Sequence, residues 1–346
     1  MPRVEPESAR GKTELVPLWR HDVGDYLSAA EISPDGRLCI AGAGDGVLVG
    51  LDLETGERRF RVHAHDDGVL ALSIAPDSTR FVTCGHTQTA KVWSASGELL
   101  FELPGGGPAW VERVAWAPLG ARIATGAGRI VRIWSAGGSL LAEPEPLAST
   151  VSGLVWRADG TAVAASAYGG VRIIPVVDSA KARTLAWKGS LISLAWSPDG
   201  KVIACGSQDS SVHFWRLGNG KDSEMSGYPF KPKALAWDGE SKLLATSGDA
   251  AVTVWDFRGN GPEGTKPIQL AGHKSVCTRL AFSPRKGVLA SGAQDMSVLI
   301  WEPRRSVKPI GFAFLEDEVT ALVWHPEHRG LLGGDAGGNL VYWKGN

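Results

Sequence analysis

Apolar and polar positions alternate along this chain in short runs. Between Ile192 and Trp215 it reads ISLAWSPDGKVIACGSQDSSVHFW. An apolar run is followed by a Ser-Pro-Asp-Gly cluster, a second apolar run, a polar cluster, and a third apolar run ending in Trp. Runs of this kind, bounded by turn-forming residues, predict three strands joined by tight turns. No segment places apolar residues at the 3.6-residue spacing of a helix, so the expected class is all-β.

The pattern repeats. Third runs such as AKVW, IVRIW and VTVW end at Trp93, Trp134, Trp215, Trp255, Trp301 and Trp343, and two copies without the Trp end at Gly50 and Ile174. These eight ends define repeats 1 to 8. The first run recurs eight times too, from LSAAEISPDG to ALVWHPEHRG, each closing in Pro, Asp or Gly chemistry. A fourth run follows seven of the eight ends. After Trp343 only Lys344, Gly345 and Asn346 remain, whereas the segment ELVPLWRH at residues 14–21 precedes the first repeat and belongs to none. A repeat of this length is one supersecondary unit that buries its apolar faces only against its neighbours.

Over residues 14 to 346 this pattern resembles the WD40 repeat family. The best copy runs from Ala271 to Trp301 and carries Gly272-His273, Ser291, Asp295 and Trp301. The resemblance implies that His273, Ser291, Asp295 and Trp301 form a hydrogen-bonded structural tetrad. It also implies a single closed β-propeller built from four-stranded antiparallel blades. At the ends of the third runs a Trp-Asp pair occurs only at Trp255-Asp256. The repeat count predicts eight blades, with seven as the alternative. The unassigned N-terminal segment is expected to complete the last blade, which would hide two open sheet edges. The domain expectation is a disordered lead at residues 1–13 and one propeller at residues 14–346.

Composition narrows the function classes. The formal net charge is −1, so bulk charge gives no support to nucleic-acid binding. Cys39, Cys84, Cys205 and Cys277 lie singly in apolar runs, which suits reduced, buried thiols and not a zinc site or disulfide framework. The N-terminal sequence has no apolar core resembling a secretory signal, and no apolar run is long enough to span a bilayer. A cytoplasmic protein is expected, as a monomeric propeller within a larger assembly.

Fourteen tryptophans invite a binding role, but eleven sit at the recurring first-strand and third-strand positions, where a core role explains them. Trp19 and Trp187 fall in outer strands. Trp110 instead precedes a first strand. In the family, the loops leading into first strands share one face of the disc, the top face, with the loops between second and third strands. Recognition concentrates in such loops. The candidate partner-binding residues on this face are Tyr26, His86, Trp110, Arg129, Tyr168, Tyr228, Phe230, Lys231 and Glu318, rich in the aromatic and Arg types that dominate interface energy. Two basic runs, Arg58-Arg59-Arg61 and Arg304-Arg305-Lys308, read as a solvated rim.

Catalytic chemistry is sought and not found in the sequence. Gly11-Lys12-Thr13 lacks the upstream Gly of a phosphate loop, Pro6 standing in its place. The Asp residues of SPDG, APDS and RADG recur with the repeat and mark turns rather than general acids. The expectation is therefore a non-catalytic scaffold that binds a peptide or protein through its top face, without cofactor or metal. The alternative is a propeller enzyme or small-ligand sensor with its site at the central channel.

Overall fold

In the computed structural model, which describes residues 13–259, 261–285 and 287–345, burial grades outward within each repeat. Second strands such as Leu38–Ala43, Val202–Ser207 and Gly330–Asp335 are buried along their whole length. Fourth strands such as Arg58–His63 alternate between exposed and covered positions. Each second strand therefore has a neighbouring sheet on both faces, and apolar residues can follow one another without a polar partner. No α-helix occurs among the described residues, and Ser179–Lys181 forms a single 3₁₀ turn.

The apolar core is divided between neighbouring repeats. One cluster joins Leu243, Val254 and Leu270 of repeat 6 to Leu289, Trp301 and Phe312 of repeat 7. Another joins Val82 and Val92 of repeat 2 to Ile123 and Trp134 of repeat 3. Of the eleven core-assigned tryptophans, eight are buried, while Trp237, Trp255 and Trp324 are partly covered. Their indoles also brace adjacent repeats: Trp156 donates to the Ala115 carbonyl at 2.9 Å and Trp324 to that of Ala281 at 2.9 Å.

The turn carboxylates behave as the repeat requires. The Gly200 N–H donates to the Ser197 carbonyl, and Ser197 Oγ donates to Asp199 at 2.7 Å. The Gly200 φ of +71° is a left-handed conformation that glycine adopts without a Cβ penalty. Ser33, Asp35 and Gly36 repeat the arrangement in repeat 1.

The sheet count corrects the eight-blade expectation. The strands form seven hydrogen-bonded sheets. Repeats 4 and 5 share one six-stranded sheet, because Ala162–Pro175 and Arg183–Trp196 each run without a break through the top-face turns. Tyr168 pairs with Ser190 there, at the point where the two repeats would otherwise separate.

Residues 1–12, including most of the expected lead and Gly11-Lys12, lie outside the described residues. Pro17–Asp22 pairs antiparallel with the final strand, Asn339–Lys344. Thr13–Glu14 runs parallel to Gly311–Phe314 of repeat 7. The N-terminal segment thus touches two sheets, where the sequence suggested one. Val319–Trp324, the first strand of repeat 8, lies beside Leu27–Ile32 of repeat 1.

Candidate functional site

The loops leading into the first strands of repeats 6, 7, 8 and 1 converge around a cavity of about 650 Å³. Its walls include Tyr26, Phe230, Lys231 and Glu318, four of the residues singled out from sequence. Tyr26 is 47% and Phe230 53% exposed, so both present ring surface to solvent. Backbone bonds fix these loops: the Phe230 N–H donates to the Gly248 carbonyl at 2.9 Å, and the Gly44 N–H to that of Tyr26 at 2.8 Å.

Arg279 forms the cavity's inner wall. Its Nε donates to the Thr320 carbonyl of repeat 8, and Nη1 donates to Thr278 at 2.9 Å. Burial pushes its pKa down, while Tyr26, Glu318 and Cys277 act in the opposite direction. An arginine keeps its charge through such a shift. Arg113, the other large residue among the small ones of the innermost strands, bonds in the same way to the Ser152 carbonyl at 3.0 Å. Both arginines therefore tie one inner strand to the next.

The remaining candidates lie apart from this cavity. Trp110 and His86 meet edge to face with ring centroids 4.7 Å apart, and His86 Nδ1 contacts the Asp67 carbonyl. Arg129 and Tyr168 line a second hollow of about 350 Å³, with Arg129 Nε donating to the Leu147 carbonyl at 2.6 Å. Tyr228 turns its hydroxyl inward. Its hydroxyl lies 2.8 Å from Thr246 Oγ1 and accepts the Trp255 Nε1–H at 2.8 Å. Burial pushes its pKa up, against the bonds from Thr246 and Trp255. Tyr228 braces repeat 6 through its hydroxyl.

The same network explains His273, Ser291, Asp295 and Trp301. Trp301 Nε1 donates to Ser291 Oγ at 2.8 Å, Ser291 meets His273 Nε2 at 2.6 Å, and His273 Nδ1 meets Ser297 Oγ at 2.7 Å. Ser297 Oγ then donates to Asp295. Burial opposes the Asp295 charge, but bonds from His273 and Ser297 hold its carboxyl well below the usual carboxylate range. Ser297 was missed from sequence, although its place in the Asp-Met-Ser turn was readable. His65, Thr83, Thr87 and Trp93 form a related chain in repeat 2.

The basic runs are partly neutralised on the rim. Arg59 pairs with Asp52 at 2.5 Å, Arg304 with Asp238 at 2.9 Å and Arg305 with Glu302 at 3.1 Å. All four cysteines are free and buried, and burial alone or as the largest cause raises their thiol pKa values. Among the described residues no group of three or more His, Cys, Asp or Glu is placed to hold a metal ion, and no helix is long and apolar enough to cross a membrane.

The model of the WD40 family, described as WD domain, G-beta repeat, matches residues 56–94, 97–135, 181–216 and 264–302. The chain is 26% identical over 279 residues to the transcriptional corepressor LEUNIG_HOMOLOG of Arabidopsis thaliana, covering 78% of this chain and 34% of that protein. It is 30% identical over 159 residues to FIZZY-RELATED 1 of the same plant, covering 45% of this chain and 33% of that protein. A probable cytosolic iron-sulfur protein assembly protein 1 of Mycosarcoma maydis is 38% identical over 113 residues, covering 32% of this chain and 21% of that protein. The chain spans between 21% and 34% of the length of these three relatives. Among solved structures, the computationally designed Ika8 protein superposes with a TM-score of 0.80 at 23% identity, over 96% of this chain and 99% of that one.

Proposed function

Because the chain belongs to the WD40-repeat β-propeller family, we propose that it is a non-catalytic interaction scaffold that binds a peptide or protein partner through its top face. The observation that carries this reading is the gathering of Tyr26, Phe230, Lys231 and Glu318, from repeats 1, 6 and 8, around one cavity. Residues so distant in sequence have no local structural reason to meet with their rings exposed. The frame supplies rigidity: loops held by backbone bonds at both ends lose little entropy when a partner docks. Trp110 with His86, and Arg129 with Tyr168, are further candidate contacts on the same face, apart from the cavity. The names of the relatives, a corepressor, a Fizzy-related protein and an iron-sulfur assembly protein, support a shared role type and point to no single pathway.

The test is affinity capture from source lysate, read by mass spectrometry. Wild type is compared with a Tyr26→Ala/Trp110→Ala/Phe230→Ala variant of equal melting temperature. A protein captured by wild type and lost by the variant is the expected result. A partner retained by both would move the site to the rim or the opposite face. Absence of any partner would favour a small-molecule ligand at the channel.

A further inference from the structure

The cavity at the top face is not electrostatically neutral. Among its lining residues three cations, Lys231, Lys233 and Arg279, face a single carboxylate, Glu318. Neither lysine has an ion-pair partner among the described residues, and both are exposed. The carboxylate is engaged, with Glu318 Oε2 lying 3.4 Å from Gln294 Nε2. A second observation is independent of charge: the Tyr26 and Phe230 rings at this cavity are 47% and 53% exposed, which leaves ring surface uncovered beside the cations.

We propose that this cavity receives an acidic side chain of a partner's extended peptide, its carboxylate held between Lys231, Lys233 and Arg279. Tyr26 and Phe230 flank the opening and take an apolar neighbour of that residue. The inference rests on the reading of the top face as the interaction surface and names the partner chemistry. Nucleic acid fits less well: the formal net charge is −1, without the basic excess that tracking a phosphate backbone calls for.

A phage-displayed library of random peptides is panned on the full chain, and recovered peptides are synthesised and titrated by fluorescence polarisation. The expected peptides carry Asp or Glu beside an apolar residue and are displaced from a Lys231→Glu/Lys233→Glu variant by about tenfold or more in Kd. Both lysines are exposed, so that variant should melt like wild type. Lys231→Gln/Lys233→Gln provides the second arm: it removes the charges without reversing them, so it should weaken the acidic peptides less than the Glu pair does and melt like wild type. Top-face binders without acidic enrichment would overturn this inference and leave the scaffold reading intact. A library yielding no binder would overturn both. Inorganic phosphate is titrated separately, and saturation by phosphate without binding of the carboxylate peptides would also overturn it.

Discussion

At the residue scale, the chain builds one hydrogen-bonded brace from several side-chain alphabets. Repeat 7 uses His273, Ser291, Ser297 and Trp301, and repeat 2 uses His65, Thr83, Thr87 and Trp93. In repeat 6 the phenol of Tyr228 stands between Thr246 and Trp255, and Thr246 Oγ1 passes the chain on to the Thr253 carbonyl at 3.2 Å. The donors of these three chains are thereby satisfied, which matters because an unpaired buried group costs more than a made bond returns. Tyr228→Phe should remove the link while keeping the ring. The expected loss is about 1–2 kcal/mol of stability, measured by chemical denaturation, with partner capture unchanged. Loss of capture at unchanged stability would return Tyr228 to the interaction surface. The residue's role was hard to read from sequence because Tyr-Pro-Phe in a loop has the composition of a contact surface. Only the third dimension shows that the first ring turns inward and the second outward.

At the element scale, the strands were legible because apolar runs and turn residues recur in phase. The sharing of one sheet by repeats 4 and 5 was not. Pairing between elements depends on how two loops approach each other, which composition does not encode. Here Ala-Tyr-Gly-Gly replaces the polar clusters found at the corresponding turns, and Gly170 sits at φ +135° with Ala186 as its partner. A Cβ at Gly170 would lie 2.1 Å from the Leu185 carbonyl oxygen, whereas a Cβ at Gly169 would meet nothing within 4 Å. Both substitutions strain a positive φ, but only one also pushes a backbone apart. Gly170→Ala should therefore cost more stability than Gly169→Ala, by about 1–3 kcal/mol. It should also speed amide hydrogen exchange at Leu185 and Ala186. Equal costs would show that the strand at residues 183–187 moves aside freely.

At the scale of the whole molecule, the strands Thr13–Glu14 and Pro17–Asp22 join the sheets of repeats 7 and 8, the second of them beside Asn339–Lys344. The candidate cavity has the same long-range character, and so the sequence offered Tyr26, Phe230, Lys231 and Glu318 as candidates but not their meeting around one cavity with Lys233 and Arg279. The N-terminal strand Pro17–Asp22 covers the outer edge of Asn339–Lys344, whose backbone groups would otherwise offer a template for pairing with another chain. Trp19 adds a second anchor. It is buried, donates from Nε1 to the Leu53 carbonyl of repeat 1 at 2.8 Å, and stacks on Tyr342 of repeat 8 with centroids 5.8 Å apart. One side chain thus spans the junction between the last repeat and the first. Trp19→Ala removes that span and leaves a cavity, for an expected loss of roughly 3–5 kcal/mol. Deleting residues 1–22 removes the strand as well, and it should lower the melting temperature by many degrees and expose an edge that drives concentration-dependent association. A peptide of residues 13–22 supplied in trans should recover much of the loss, since it carries both the strand and Trp19. An unchanged melt after deletion would mean that the contacts between first strands hold the ring without the strap, and the N-terminal segment would then be an edge cover alone.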